Sequence, residues 1–228
     1  MPRRRRGATG GFVFHVLNRS VARAELFKED SDYAAFEEVL REDLEWQPMR
    51  VLAYCLMPNH WHLVLWPRRD GELSEYLRWV TVTHTQRWHA HYHTSGTGPL
   101  YQGRFKSFPV QSDEHLLKVC RYVERNALRA KLVRRAENWR WSSLRRGRQE
   151  HDATWLADWP VPRPSNWLEI VNQPESEAEV AALRRSVQRG APFGPFGEES
   201  WTEATAKRLQ LESSLRPTGW PRKPPARE

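Results

Sequence analysis

Apolar and polar positions change period several times along the chain, and each change marks an element. Phe12-Val13-Phe14-His15-Val16-Leu17-Asn18 is partly apolar on both alternating sets and predicts a first strand, central in a sheet. From Asp30 to Leu44 the period lengthens. Tyr33, Phe36, Val39, Leu40 and Leu44 make one helical stripe, Asp30 or Ser31 offers a cap, and Trp46-Gln47-Pro48 breaks the helix. Met49 to Met57 predicts a second strand and His60 to Trp66 a third. Only Pro58-Asn59 separates them, so they should pair as an antiparallel hairpin. Ser74 to about His91 reads as a long helix, with Leu73, Leu77, Val80 and His84 three or four apart. The loop Thr94-Ser95-Gly96-Thr97-Gly98-Pro99 follows. Arg104 to Val110 predicts a fourth strand, and a helix capped by Ser112 runs to about Leu128.

The order β-α-β-β-α-β-α places residues 9–145 in the α+β class. A split βαβ, ferredoxin-like domain accounts for it, with an antiparallel sheet and helices mainly on one face. Past Trp141-Ser142-Ser143 the pattern changes. Trp159-Pro160-Val161-Pro162-Arg163-Pro164 reads as an extended connector. Glu175 to Arg189 is a short polar helix ended by Gly190, and Ala204 to Leu215 is another. Residues 146–228 are thus expected to be a linker, short helices and a basic C-terminal tail, whose Arg216, Arg222 and Lys223 would contact DNA if the partner is nucleic acid.

Charge narrows the partners. Lys and Arg total 36 against 28 acids, a net +8, and Arg far outnumbers Lys. A planar guanidinium fork suits phosphate, so nucleic acid leads over an acidic protein or lipid surface. Arg3, Arg4, Arg5 and Arg6 are a solvated tail or a phosphate-tracking arm. Gly7-Ala8-Thr9-Gly10-Gly11 follows them with no apolar run, so no signal peptide and no membrane span is expected. Cys55 and Cys120 lie in no CxxC motif, which fits a reducing cytoplasm. Gly96-Thr97-Gly98 lacks the lysine of a phosphate loop, so no nucleotide cofactor is expected. The twelve tryptophans, with Trp139, Trp141, Trp155, Trp159 and Trp167 late in the chain, read mainly as packing.

Chemistry enters at His60-Trp61-His62. Two imidazoles two apart on a strand share a face, a geometry suited to one metal ion or to two half-buried structural histidines. A site needs a third ligand. On the last helix of the domain, Leu116, Cys120, Val123 and Ala127 make a core stripe, and His115, Val119, Tyr122 and Asn126 a second stripe about 100° away. Asn126 offers an amide oxygen to a metal and Tyr122 a phenolic oxygen to an electrophile, with Arg121, Arg125 and Arg129 around them. Such a set suits attack of Tyr122 on a DNA phosphodiester, leaving a 3′-hydroxyl and a 5′-phosphotyrosine. Arg104 is the leading phosphate contact beside Tyr101, Gln102 and Lys106. His84, His89, His91 and His93 fall at a helix end and loop, where their spacing faces different ways and suits capping or surface contact better than a metal. His15 on the first strand reads as packing beside the site.

Several stretches carry a family pattern in order: Cys55-Leu56-Met57-Pro58-Asn59-His60-Trp61-His62, Gly98-Pro99-Leu100-Tyr101-Gln102-Gly103-Arg104-Phe105-Lys106, Arg121-Tyr122-Val123-Glu124-Arg125-Asn126, Arg129-Ala130-Lys131-Leu132-Val133 and Trp139-Arg140-Trp141-Ser142-Ser143. The chain resembles the REP-associated tyrosine transposases, a branch of the IS200/IS605-like single-tyrosine HUH transposases, over roughly residues 9 to 145. The resemblance implies that Tyr122 is the nucleophile and that His60, His62 and Asn126 hold Mg²⁺ or Mn²⁺. It implies a substrate of single-stranded DNA beside a palindromic hairpin, found as repeated extragenic palindromes, in a bacterial cytoplasm or its nucleoid. Trp61 is bulkier than the usual middle residue, Asn126 shorter than the glutamine of some relatives, and Ala127 stands where a proline is common. Relatives exchange catalytic helices within a dimer; here short connections to the tyrosine helix favour a monomer. Two other readings stay open on the residues alone, a non-catalytic nucleic-acid-binding module and a zinc-stabilised structural protein.

Overall fold

Four strands whose apolar positions alternate build the centre of the molecule. In the computed structural model, which describes residues 9–46, 49–146, 155–188 and 195–215, they are β1 (Val13–Arg19), β2 (Arg50–Met57), β3 (His60–Trp66) and β4 (Lys106–Val110). They form one antiparallel sheet in the order β2-β3-β1-β4. The β2–β3 hairpin turns at Pro58-Asn59, whose carbonyls accept from the backbone of Leu26, Phe27 and Ser20. That pairing fixes the register that sets Leu17 opposite His62 and Arg19 opposite His60.

Alternation along β3 divides the core. Trp61, Leu63 and Leu65 pack beneath α1 (Asp30–Trp46) and α2 (Glu72–His91), with Phe36, Leu40, Tyr76 and Leu77. Val64 and, from β2, Cys55 and Met57 face the other way, toward α3 (Glu114–Glu124) and α4 (Asn126–Arg129). Helices therefore cover both faces rather than mainly one, because α3 has its own apolar stripe of Leu116, Cys120 and Val123. Gly71 precedes α2 at φ +89, a conformation open to glycine without strain. The cap of α3 is Asp113, not Ser112; its carboxylate accepts from the His115 backbone N–H at 2.8 Å.

Four short helices follow: α5 (Ser143–Arg146), α6 (Trp167–Asn172), α7 (Glu177–Gln188) and α8 (Glu199–Arg208). Two of these elements differ from expectation: α6 is absent from the apolar pattern, and Glu199–Arg208 begins earlier than Ala204. Residue 145 does not end the core, since Trp167, Val171 and Leu183 belong to the cluster of Cys120, Val123 and Ala127. The buried Glu124 carboxylate ties the two parts together. It accepts from Ser143 Oγ at 2.7 Å and from the Trp167 indole at 2.6 Å. Burial pushes its pKa up, opposed by the Arg163 charge and these two donors.

Segments after α4 pair with part of each sheet edge. Along β2, Ala157 N donates to Val51 O, Leu56 N donates to Trp141 O, and the Trp139 and Trp159 indoles donate to Leu56 O and Leu52 O at 2.8 Å. Along β4, Phe196 N donates to Pro109 O and Gln111 N to Phe196 O. Pairing at these positions removes them as templates for another strand. Arg3, Arg4, Arg5, Arg6, Gly190, Arg216, Arg222 and Lys223 lie outside the described residues.

Candidate active site

The period of β3 puts His60 and His62 on the α3 side, while Trp61 points into the opposite core. The Trp61 indole donates to Tyr101 Oη at 3.0 Å, and Tyr101 Oη in turn lies 2.6 Å from His84 Nδ1. This chain fixes the residue between the two histidines. It also corrects two expectations. Tyr101 has its hydroxyl engaged inside the core and does not line the cleft with Gln102 and Arg104, and His84 is a core residue rather than a capping or surface one.

On the α3 side a cleft of about 540 Å³ is lined by Asn18, Arg19, His60, His62, Gln102, Arg104, Lys106, Tyr122, Asn126, Arg129 and Arg184, with Leu17, Gly103 and Ala130. The His60 and His62 ring centres are 5.1 Å apart, and His62 meets the Tyr122 ring edge to face at 5.9 Å. Tyr122 and Asn126 are both 7% exposed. The structure thus gathers His60, His62, Tyr122 and Asn126 in one chain, although the helix carrying the last two is not continuous. It breaks at Arg125 (φ −82, ψ −4), and Asn126 begins α4.

The cleft histidines are neutral. Burial, with the Arg19 and Arg129 charges, takes His60 down to about 4. Burial holds His62 well below its ordinary 6.5, helped by its imidazole neighbours. His15, fully buried, is taken down to about 3 by burial and by Arg129. A neutral imidazole keeps a lone pair for a metal. Among the described residues no cluster of three or more His, Cys, Asp or Glu side chains is placed to hold an ion. A third ligand would be an amide. Asn126 suits that role, because its Nδ2 is buried without a hydrogen-bond partner. Turning the amide over would set its oxygen in that place. Two imidazole nitrogens and an amide oxygen make a donor set that a divalent ion accepts.

The three arginines of the tyrosine segment divide. Arg129 lies over the Tyr122 ring with its guanidinium carbon 3.9 Å from the ring centre. It donates to Glu175 Oε2 at 2.8 Å and to the Tyr122 carbonyl at 3.2 Å. Arg125 and Arg121 turn away. Arg125 donates to the carbonyls of Val171 and Asn172, and Arg121 to those of Gln173 and Pro174, all at 2.8 to 3.0 Å. They hold the C-terminal end of α6, where carbonyls lack helical partners.

Gln102, Arg104 and Lys106 line the cleft, on a segment held by Asn18 Nδ2 donating to Gly103 O at 3.3 Å and Gln102 N donating to Arg19 O. The sequence pattern misses Arg19 and Arg184. Arg19 ends β1, and the sheet register sets it opposite His60. Arg184 lies on α7, which nothing in the pattern tied to the cleft.

The family model described as "Transposase IS200 like" matches residues 9–126. No curated protein matches the chain. A solved structure of a REP-associated tyrosine transposase bound to a REP hairpin aligns at 19% identity and TM-score 0.54, over 72% of this chain and 95% of that one. A second, a candidate transposase from Deinococcus radiodurans, aligns at 14% identity and TM-score 0.38 over 57% of this chain and 95% of that one, too distant in shape to bear on the fold.

Proposed function

The chain belongs to the IS200-like transposase family, and from that premise we propose that it cleaves single-stranded DNA beside a hairpin-forming palindrome by transesterification at Tyr122. The observation that carries this reading is Tyr122 set against His62 in the cleft that also holds His60, Asn126 and Arg129.

In the proposed reaction the Tyr122 oxygen attacks phosphorus as the bond to the 3′-oxygen breaks. The products are a 5′-phosphotyrosine and a free 3′-hydroxyl. The phosphodiester energy is kept in the protein link, so a second 3′-hydroxyl can attack the same phosphorus and release Tyr122 without a nucleotide cofactor. A divalent ion such as Mg²⁺ or Mn²⁺, held by His60, His62 and the Asn126 amide oxygen, would polarise a nonbridging phosphate oxygen and orient it. Arg129 lies over the Tyr122 ring and adds positive charge beside the phosphate. Arg19, Arg104, Lys106 and Arg184, with Gln102, bind the strand along the cleft. Arg3, Arg4, Arg5, Arg6, Arg216, Arg222 and Lys223 are proposed as further phosphate contacts outside the described residues, whereas Arg121 and Arg125 are assigned to holding α6.

The ordered motifs of the REP-associated branch and the hairpin carried by the structural neighbour support repeated extragenic palindromes as the substrate class. A monomer is supported by the short connection from β4 to the tyrosine helix and by the segments paired along part of each sheet edge. The site works on DNA in the cytoplasm. Among the described residues no helix is long and apolar enough to cross a membrane.

The test mixes the protein with labelled single-stranded DNA carrying a palindromic hairpin, in Mg²⁺ or Mn²⁺ and in chelator. A denaturation-resistant adduct is expected with metal, lost in chelator and in Tyr122→Phe. An adduct that persists in Tyr122→Phe refutes the nucleophile. Tight hairpin binding with no cleavage on any substrate favours a binding module without chemistry.

A further inference from the structure

Each cleft histidine makes a hydrogen bond through its Nδ1, and the two partners come from different parts of the chain. We infer that Asn59 and His15 are positioning residues that set the protons on His60 and His62, so that both imidazoles keep the Nε2 lone pair for an ion. The inference rests on the metal-site reading above. A neutral imidazole has one N–H and one lone pair, and the partner of one nitrogen dictates the state of the other.

At His60 the assignment follows from the amide. Asn59 Nδ2 donates to the Arg23 carbonyl at 3.3 Å, which orients Oδ1 toward His60. His60 Nδ1 lies 2.7 Å from that oxygen. An amide oxygen only accepts, so Nδ1 carries the proton and Nε2 keeps the lone pair. The turn that presents Asn59 is itself held, its backbone carbonyl accepting from Ser20 N and Ser20 Oγ.

At His62 the partner is another imidazole. His15 lies on the same sheet face, diagonal to His62, because Leu17 pairs with His62 and His15 with Val64. His15 Nε2 is 2.8 Å from His62 Nδ1, and the rings are within 9° of parallel. His15 is fully buried and does not line the cleft, so it is not a ligand itself. Its other nitrogen, Nδ1, is buried without a partner among the described residues. Nothing on that side dictates where the His15 proton sits. His15 Nε2 can therefore accept from His62 Nδ1–H, which leaves the His62 Nε2 lone pair for the ion. An outer hydrogen bond of this kind fixes ring orientation and raises ligand basicity. A purely structural His15 would instead donate to His62 Nδ1 and force the proton onto His62 Nε2.

Two measurements on the full chain separate these roles. Nitrogen NMR of the Mg²⁺-saturated protein should find the proton on His62 Nδ1, with scalar coupling across the hydrogen bond to His15 Nε2. A proton resident on His15 Nε2 overturns the inference. Calorimetric titration with Mn²⁺ should show His15→Leu and Asn59→Leu each weakening binding about tenfold or more. His15→Gln and Asn59→Asp keep an acceptor and should recover most of that loss, with melting in chelator as the folding control. Mn²⁺ binding by His15→Leu within about twofold of the native chain overturns the role of His15 while leaving the metal site standing. A native chain that binds no Mn²⁺ overturns the metal site, and this inference with it.

Discussion

His84→Phe should cost much less stability in mild acid than at neutral pH. The His84 ring sits among aromatics, parallel-stacked near Phe27 and edge-on to Phe36 at 4.7 Å, so a phenyl ring fits the space. At pH 7.5 the substitution removes the acceptor at Nδ1 and leaves the Tyr101 hydroxyl proton buried without its partner. That should cost about 1–3 kcal/mol. In acid that cost is offset. Burial takes the folded-state pKa of His84 from 6.5 down to about 3. Below 6.5 the unfolded chain binds a proton that the folded chain refuses, so native stability falls as pH drops. Over the roughly 1.5 pH units from 6.5 to 5 the loss is about 2 kcal/mol from this residue, at about 1.4 kcal/mol per unit. The side chain is 4% exposed, so solvent screening takes little from that figure. Urea denaturation of both proteins in chelator at pH 7.5, 6.5, 5.5 and 5.0 measures the gap. The native chain should be ahead at pH 7.5, and its lead should shrink by about 2 kcal/mol by pH 5. A gap that does not move with pH refutes the buried, neutral His84 and with it the Trp61–Tyr101–His84 chain that holds the strand between the two cleft histidines.

Other substitutions separate DNA contacts from internal supports. Arg184→Ala should weaken single-strand binding and lower the slope of log affinity against log salt by about 0.7, without lowering the melting temperature. Arg121→Met should do the opposite, lowering the melting temperature and leaving the salt slope intact; anisotropy titrations at several salt concentrations decide, and equal slopes for both would contradict the division. Glu175→Gln removes the carboxylate held by Arg129 at 2.8 Å and approached by Arg125 at 3.6 Å. It should cost about 1–3 kcal/mol in denaturant and slow cleavage more than it weakens binding, and an unchanged midpoint counts against it. Trp167→Phe leaves Glu124 Oε2 without its indole donor. A loss of about 1–3 kcal/mol in one cooperative transition is expected if residues 155–188 belong to the domain core, and a separate early transition would show that they do not.

The strands, and the face shared by His60 and His62, were legible because a period of two leaves only two sides to choose from. The shared stripe of Tyr122 and Asn126 was legible for the same reason at helical period, even though the helix itself breaks between them at Arg125. Residues whose role depends on a distant partner were not. Tyr101 lies in a polar stretch beside Gln102 and Arg104, and only the fold reveals that its hydroxyl meets Trp61 and His84. Arg121 and Arg125 look like part of a phosphate-binding cluster until α6 supplies the carbonyls they hold. That helix is six residues long, too short for a periodic signal. His15 could be placed near the site from its strand, but its bond to His62 follows from a register set by pairing across the sheet.

The most direct test of the central claim is the chemical identity of the covalent product. After reaction with hairpin single-stranded DNA in Mn²⁺, nuclease and trypsin digestion should yield the Tyr122–Arg125 peptide carrying a nucleotide through its 5′-phosphate on the phenolic oxygen. Tandem mass spectrometry that places the phosphate on Tyr122, with an unmodified 3′-hydroxyl on the released strand, is the expected result. A phosphate on any other residue, or a 3′-phosphate link with a free 5′-hydroxyl, would contradict it.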